Sequence, residues 1–263
     1  MNDFKSSVTI LDQNRRYWTG RASGYSKVNQ EELSSSRQHC VWQDTLCDEM
    51  RAHFPDRPPE SIHVLDIGCG PGFFSIVLAE EGYLVTAADL TPAMLERARE
   101  NAGELASRIT FLEMNAEDLR FPDGCFDAIV TRNLTWNLPH PERAYQEWSR
   151  VLKPGGLLLN FDANWYHYLF NETARRSYEE DRMRTEATGI RDENIGDGFE
   201  VMEQIAAQIP LSRIQRPQWD RQILTSLDMQ VTVNEQIWNR VWSPEEQINF
   251  SSTPLFLICA KKT

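Results

Sequence analysis

Acidic and glycine residues near the end of the first quarter of the chain are spaced for binding a nucleotide-like ligand. A short apolar run from Ile62 ends at Asp66 and is followed by Gly68, Gly70 and Gly72. Glycine adopts positive φ readily, so a chain with this spacing turns sharply beneath a ligand. We therefore expect a buried strand, a tight turn and then a helix whose first amides favour a negatively charged ligand group.

A second acid lies at the distance at which a ribose is held. Residues 83–88 read as the next strand, which ends at Asp89, 21 positions after Gly68. An acid at the tip of a second strand accepts hydrogen bonds from the two hydroxyls of a ribose. The alternative is a nucleotide-free α/β domain with an incidental acid, and the pairing of the two signals favours the nucleotide.

The glycine spacing also separates two kinds of cofactor. A dinucleotide fingerprint has its third glycine where this chain has Phe73. Residues 66–72 instead resemble the first motif of class I, Rossmann-like S-adenosylmethionine-dependent methyltransferases of small molecules, the methyltransferase domain 11 group. The resemblance implies S-adenosyl-L-methionine as cofactor and S-adenosyl-L-homocysteine as product, with Gly68 and Gly70 facing the methionyl part and Asp89 holding the ribose.

Two later stretches resemble the same family, so the resemblance covers about residues 60–163. Residues 109–114 are predicted to form a third strand. It leads to Asn115 and Ala116, the positions at which the family contacts the adenine edge, and Asp118 is an alternative contact. The run from Glu147 to Gly156, E-x-x-R-V-L-K-P-G-G, is the other motif. The resemblance implies cofactor contacts by Asp66, Gly68, Cys69, Gly70, Asp89, Leu90, Asn115, Ala116, Arg132 and Tyr25.

The elements that position these residues are expected to form an α/β fold. The resemblance implies a Rossmann-like, seven-stranded, mostly parallel sheet with helices on both faces and an antiparallel last strand. We expect residues 61–163 and 217–263 to form this core, residues 1–60 an N-terminal helical arm or lid, and residues 164–216 a helical cap insertion over the acceptor pocket. Within the arm, residues 35–54 read as a helix, whereas residues 12–33 are too irregular for one.

Methyl transfer from a sulfonium is an in-line displacement that depends on orientation, desolvation and, for some acceptors, a general base. His140 and His167 stand in loops expected near the site, and Asn133 follows the fourth strand, at the edge where parallel sheets bind ligands. These three are the catalytic candidates, against a structural role for each histidine. The acceptor-binding candidates are aromatic, with plain packing as the alternative: Tyr17, Trp18, Trp136, Trp165 and Tyr166.

Composition limits the partners. The formal net charge of −12 over 263 residues disfavours binding to a nucleic-acid backbone. The five cysteines form no C-x-x-C pair, and the histidines have no ligand spacing, so we expect no metal. The polar start at residues 1–5 is unlike a signal peptide, and no run is long enough to span a membrane. We expect a cytoplasmic monomer or homodimer.

The sequence thus predicts an S-adenosylmethionine-dependent methyltransferase acting on a small molecule, with no nucleic-acid or membrane partner. Two alternatives stay open. One is a non-catalytic protein that binds S-adenosylmethionine for regulation, because binding motifs do not establish turnover. The other is a methyltransferase of a protein or RNA acceptor, which the acidic charge disfavours. A nucleotide-linked dehydrogenase is disfavoured by Phe73 and by the motif that ends at Gly156.

Overall fold

A computed structural model describes residues 8–192 and 198–263, and over these residues a seven-stranded sheet carries helices on both sides. The strands are β1 His63–Ile67, β2 Leu84–Asp89, β3 Ile109–Glu113, β4 Phe126–Arg132, β5 Leu152–Asp162, β6 Met229–Asn234 and β7 Phe256–Lys262. The helices are α1 Ile10–Ser34, α2 Ser36–His53, α3 Phe73–Glu80, α4 Pro92–Ala102, α5 Pro141–Val151, α6 Glu172–Thr188, α7 Phe199–Ala206, α8 Gln218–Ser226, α9 Trp238–Val241 and α10 Pro244–Asn249. The predicted fold class is confirmed.

The strand order places a ligand-binding crevice at the ends of the first strands. The order is β3-β2-β1-β4-β5-β7-β6, with β7 antiparallel to both of its neighbours and the other pairs parallel. The order therefore reverses between β1 and β4. Open parallel sheets bind ligands beyond the carboxyl ends of their strands at this kind of reversal.

The central strands are buried on both faces, which explains their almost continuous apolar sequence. Val64 and Leu65 of β1 have no exposed surface, and neither have Ala128 and Ile129 of β4. Helix α3 is also buried along nearly its whole length, so the glycine turn between β1 and α3 is fixed at both ends by core packing.

Helix α1 corrects the sequence analysis, which read residues 12–33 as too irregular for a helix. The helix runs from Ile10 to Ser34 and begins with a capping box between Thr9 and Asp12. Its contacting face is small and polar, because Asn14 and Ser26 are among its buried residues, so apolar periodicity could not reveal it. It packs against α2, α4 and α7. Helix α2 agrees closely with the helix predicted over residues 35–54, and its N-cap is Ser35.

The proline and glycines of Lys153–Gly156 predict a turn from the sequence, but these residues are part of β5. Phe126 pairs with Leu152 and Ala128 pairs with Leu157, so β5 bulges here against β4. A Cβ on Gly156 would lie 2.8 Å from the Lys153 carbonyl oxygen. The bulge therefore needs glycine for the close approach of two backbone segments.

The described part of residues 164–216 contains the helices α6 and α7 and two short 3-10 helices, His167–Leu169 and Pro210–Ser212, joined by turns and loops. Helix α6 packs against α10, and α7 packs against α1, so this segment closes one side of the molecule. The spacing of Phe199 and Met202 in the sequence suggests a short helix, and both residues lie in α7. Within the described residues, no helix combines the length and apolar character needed to cross a membrane. The polar start at residues 1–5 lies outside the described residues.

Candidate functional site

A cavity of about 310 Å³ lies at the carboxyl ends of the central strands, between the sheet, α1 and α7. It brings together most of the residues that the sequence singled out. The predicted site residues in its wall are Trp18, Tyr25, Asp66, Gly68, Cys69, Gly70, Asp89, Leu90, Asn115, Ala116, Arg132, Asn133, Trp136, Trp165 and Tyr166. Residues more than one hundred positions apart in sequence thus share one cavity.

The glycine turn forms the floor of the cavity. Gly68 and Gly70 have positive φ values of +66° and +52°, which residues other than glycine rarely adopt. A Cβ on Gly68 would also lie 2.8 Å from the side chain of Leu134. A Cβ on Gly70 would lie 3.6 Å from Tyr25 Cε1, so α1 covers the turn directly. Glycine is therefore required at Gly68 by both the positive φ and the nearby Leu134, and at Gly70 by the positive φ.

Asp89 stands at the end of β2 with both oxygens oriented by backbone amides. Gly70 N donates to Oδ2 at 2.9 Å, and Thr91 N donates to Oδ1 at 2.8 Å. Burial raises the pKa of this carboxyl, while the two amide bonds act to lower it. Each carboxylate oxygen can accept a further hydrogen bond. The pair of oxygens therefore suits a vicinal diol such as that of a ribose.

Asp66, at the end of β1, is the second acid of the wall. The side chain is 2% exposed, and Ser75 Oγ donates to its Oδ2 at 2.5 Å. Burial, with a smaller contribution from nearby Asp89, raises the pKa of Asp66 to about 7, against the hydrogen bonds from Ser75. A cation bound beside Asp66 would favour its ionised form. The methionyl ammonium of S-adenosylmethionine is such a cation.

Arg132, at the end of β4, is held by a carboxylate that the sequence analysis missed. Its Nη2 donates to both oxygens of Glu32 in α1, at 2.9 and 2.8 Å. The guanidinium lies over the rings of Trp42 and Phe73, at 5.0 and 4.9 Å from their centroids. This ion pair holds α1 against the carboxyl end of β4, and so it positions the face of α1 that lines the cavity.

Asn133 organises the aromatic end of the cavity. It has φ of +57°, a conformation that asparagine tolerates better than most residues. Its carbonyl oxygen accepts from Trp136 Nε1 at 2.9 Å, and its Oδ1 accepts from Trp165 Nε1 at 3.2 Å. The Trp136 amide donates to Asp162, which is buried and bonded to Arg216. Asn133 therefore positions two of the predicted acceptor-binding rings.

Three predicted site residues lie outside the cavity wall. His140 is 71% exposed in its side chain and bonds to Glu117 at 3.0 Å, which closes the loop before α5. His167 lies 3.2 Å from the Ser212 carbonyl oxygen and lines a second cavity. Tyr17 packs edge-on against Trp18. None of the three lines the cavity, so their positions do not favour the two histidines as general bases or Tyr17 as an acceptor contact, and these roles stay predictions.

The sequence analysis also missed residues that do line the cavity. Five of them belong to α1 or lie beside it: Leu11, Asn14, Arg15, Asn29 and Asn137. The wall residues of α1, which include Trp18 and Tyr25, recur three, four or seven positions apart and therefore share one helical face. Because these residues mix apolar and polar types, their spacing does not reveal them from the sequence alone. The other missed wall residues include Thr91, Met94, Met114, Leu134, Leu138, Tyr168 and Phe199.

Metal binding is not indicated by the described part of the chain. Residues 8–192 and 198–263 contain no group of three or more His, Cys, Asp or Glu side chains that could hold an ion. The sequence expectation of no metal site stays a prediction.

Comparison with known proteins agrees with this geometry. Residues 65–160 match a family model described as a methyltransferase domain. A ubiquinone/menaquinone biosynthesis C-methyltransferase UbiE of Rhodopseudomonas palustris strain HaA2 is 34% identical over 143 residues, 52% of this chain and 54% of the relative. A ubiquinone biosynthesis O-methyltransferase of Coxiella burnetii is 32% identical over 120 residues, 41% of this chain and 51% of the relative. The chain spans about half the length of these curated relatives.

Solved structures share the fold over a larger part of the chain. The plantazolicin methyltransferase BpumL, in complex with a monoazolic desmethylPZN analog and SAH, superposes with a TM-score of 0.61 at 13% identity, covering 97% of this chain and 96% of that one. The [4+2]-cyclase SpnF has a TM-score of 0.53 at 18% identity, covering 83% and 80%. Residues 65–160 thus match a methyltransferase domain, and the described chain has the fold of class I S-adenosylmethionine-dependent methyltransferases. The cofactor of this class is S-adenosylmethionine, and the two carboxylates and the glycines of the cavity fit it.

Proposed function

We propose that the protein is a methyltransferase that moves a methyl group from S-adenosylmethionine to a small-molecule acceptor by in-line displacement. The observation that carries the proposal is that Asp66, Asp89 and the glycine turn open into the same cavity as Trp136 and Tyr166. One end of that cavity suits a ribose and an amino-acid ammonium, and the other suits an apolar or aromatic molecule. A cofactor and an acceptor can therefore meet in it.

In this proposal the two acids bind rather than react. The paired oxygens of Asp89 accept hydrogen bonds from the ribose diol, and Asp66 accepts from the methionyl ammonium. Both side chains are held by bonds to Gly70, Thr91 and Ser75, so their orientation is fixed before the ligand arrives. When bound, S-adenosylmethionine supplies a methyl group activated by its sulfonium.

Helix α1 supplies the cover that the reaction needs. Its face with Trp18 and Tyr25 lies over the glycine turn, and Asn14 Nδ2 donates to the Asn137 carbonyl oxygen at 2.8 Å. Closing the cavity removes water and orders the acceptor, which are the main contributions that an enzyme makes to a displacement on an already activated methyl group. Asn133 positions Trp136 and Trp165 at the acceptor end.

The relatives support a small acceptor. Two of them are named as C- and O-methyltransferases of quinone biosynthesis. We propose residues 1–60 as the arm, residues 61–163 and 217–263 as the core, and residues 164–216 as the cap over the acceptor. The acidic net charge of −12 supports a protein that acts without nucleic acid. We further propose a cytoplasmic monomer or homodimer that acts without a membrane.

The test uses methyl-labelled S-adenosylmethionine, the purified protein and a small-metabolite extract, with the label followed by mass. Label in a low-mass product that requires active protein supports the proposal, and Asp89→Ala serves as the cofactor-binding control. Label in protein or RNA would replace the small acceptor with a macromolecule. If the cofactor binds and no label moves, a regulatory binding protein replaces the enzyme. Because SpnF is a cyclase with this fold, the experiment also includes an outcome in which the protein transfers no methyl group.

A further inference from the structure

The acceptor end of the cavity is a cluster of aromatic rings centred on Tyr166. The Tyr166 ring lies 5.0 Å from Trp136, 5.9 Å from Tyr168 and 6.4 Å from Phe199, measured between centroids. All four side chains line the cavity. The interplanar angles between Tyr166 and these neighbours are 32° to 37°, so the rings form a set of roughly aligned faces. Such faces stack on planar molecules and attract cations.

A carboxylate behind this cluster strengthens its attraction for a cation. Tyr168 Oη donates to Glu203 Oε1 of α7 at 2.7 Å. A hydroxyl that donates to a carboxylate leaves more negative charge on its own ring. Burial, together with this bond, raises the pKa of Tyr168, so its hydroxyl stays protonated and keeps donating. Glu203 also adds its own negative potential to the cluster.

The two cationic side chains in the cavity wall are neutralised by partners. Arg132 pairs with Glu32, and Arg15 pairs with Glu113 at 2.5 Å. Neither pair involves the rings around Tyr166. Of the charged groups that act on Tyr166, the negative Glu203 acts more strongly than the positive Arg21, so the potential at the acceptor end is net negative.

We propose that the acceptor is a planar nitrogen heterocycle with a weakly basic ring nitrogen, and that it leaves as an N-methyl cation. This inference rests on the proposed methyltransferase function and names its substrate class. The nitrogen lone pair forms the new N–C bond. The S–C bond breaks and its electron pair stays on sulfur, so the positive charge passes from sulfur to nitrogen and no proton is lost. The ring cluster stabilises the charge where it arrives.

The proposal predicts that the site distinguishes a cation from an uncharged molecule of the same shape. The two probes are 1-methylpyridinium and 4-methylpyridine, at an alkaline pH at which 4-methylpyridine is uncharged. Each is titrated into protein saturated with S-adenosylhomocysteine, and binding is followed by calorimetry. We expect the cation to bind about fivefold to tenfold more tightly, which is the size of a partly desolvated cation–π interaction.

Two variants separate the rings from the charge. Tyr166→Leu keeps an apolar side chain and should abolish the preference for the cation. Glu203→Gln keeps a hydrogen-bond partner for Tyr168 and should weaken binding of the cation about threefold, with 4-methylpyridine unaffected. Glu200→Gln, an exposed change of the same charge on the same helix, is the matched control and should alter neither probe. Binding of S-adenosylhomocysteine by each variant shows that it is folded.

The outcomes keep the two proposals apart. If wild-type protein binds S-adenosylhomocysteine but holds both probes equally, the heterocycle proposal is overturned and the methyltransferase function stands. If Glu200→Gln weakens the cation as much as Glu203→Gln does, the preference is a general charge effect, and the proposal is overturned as well. If wild-type protein does not bind S-adenosylhomocysteine, the proposed function fails, and this inference fails with it.

Discussion

Glu32 of α1 and Arg132 at the end of β4 form an ion pair in which both carboxylate oxygens lie within 2.9 Å of one guanidinium nitrogen. Their side chains are only 11% and 15% exposed. The pair joins residues exactly one hundred positions apart and ties the arm to the strand end that lines the cavity. The order of α1 and the shape of the cofactor cavity are therefore linked.

Breaking this ion pair should destabilise the packing of α1 and weaken ligand binding in the cavity. Glu32→Gln leaves the Arg132 guanidinium buried without a carboxylate, so we expect the free energy of unfolding to fall by about 3 kcal/mol. Affinity for S-adenosylhomocysteine should fall too, because Tyr25 covers Gly70 from the same helix. Denaturant titration and calorimetry measure the two effects. Glu31→Gln, an exposed neighbour, is the control, and equal losses in both variants would contradict the linkage.

We expect Asp66 to lower the free energy of unfolding at neutral pH, although its carboxylate contributes to cofactor binding. Its folded pKa of about 7 lies above the ordinary 3.8, so the folded state prefers the protonated form. The stabilising contribution is present below about pH 4 and is lost as pH rises towards 7. Asp66→Asn should therefore raise the free energy of unfolding at pH 8 by roughly 2 kcal/mol, with little gain at about pH 4.

The same substitution, Asp66→Asn, should weaken binding of the cofactor. Asparagine cannot pair as an anion with the methionyl ammonium, so affinity for S-adenosylhomocysteine should fall about tenfold or more. Denaturant titrations at both pH values, with exposed Asp56→Asn as control, measure the stability change. A gain that is the same at both pH values would show that the pKa of Asp66 is not its source.

Neither His140 nor His167 should act as a general base. Removing a general base costs a rate factor of about 100 or more. Because His140 is largely exposed and bonded to Glu117 outside the cavity wall, His140→Ala should keep kcat within about threefold of wild type. His167→Ala should behave similarly. Initial rates with the acceptor found by the labelling experiment measure this, and a hundredfold loss of kcat in either variant would restore the histidine as a base.

The cofactor half of the site was predictable because its signals are local. Asp66, Gly68 and Gly70 belong to one strand and turn, and Asp89 ends the next strand, so spacing alone placed them together. The strand order then follows from the family resemblance. Only the start of β5 differed, since the glycines at 155 and 156 serve a bulge as well as they serve a turn.

The acceptor half could not be predicted in the same way. Helix α1 contacts the sheet edge through polar residues such as Asn14 and Glu32, whose partners lie about one hundred positions away. Neither periodicity nor composition reveals such partners. The two histidines were chosen as candidate bases from their loop positions, and a loop position does not say which way a side chain points. The His140 side chain bonds to Glu117, which follows β3, and it does not line the cavity.

The most direct measurement of the central claim is a calorimetric titration of S-adenosylhomocysteine into wild-type protein and Asp89→Ala, with exposed Asp56→Ala as the matched control. The account predicts one bound ligand in wild type and the Asp56 variant. It predicts a loss of roughly 2 to 4 kcal/mol of binding free energy in Asp89→Ala, from two hydrogen bonds to a carboxylate. Equal affinity in all three proteins, or no binding in wild type, would contradict the assignment of this cavity to the cofactor.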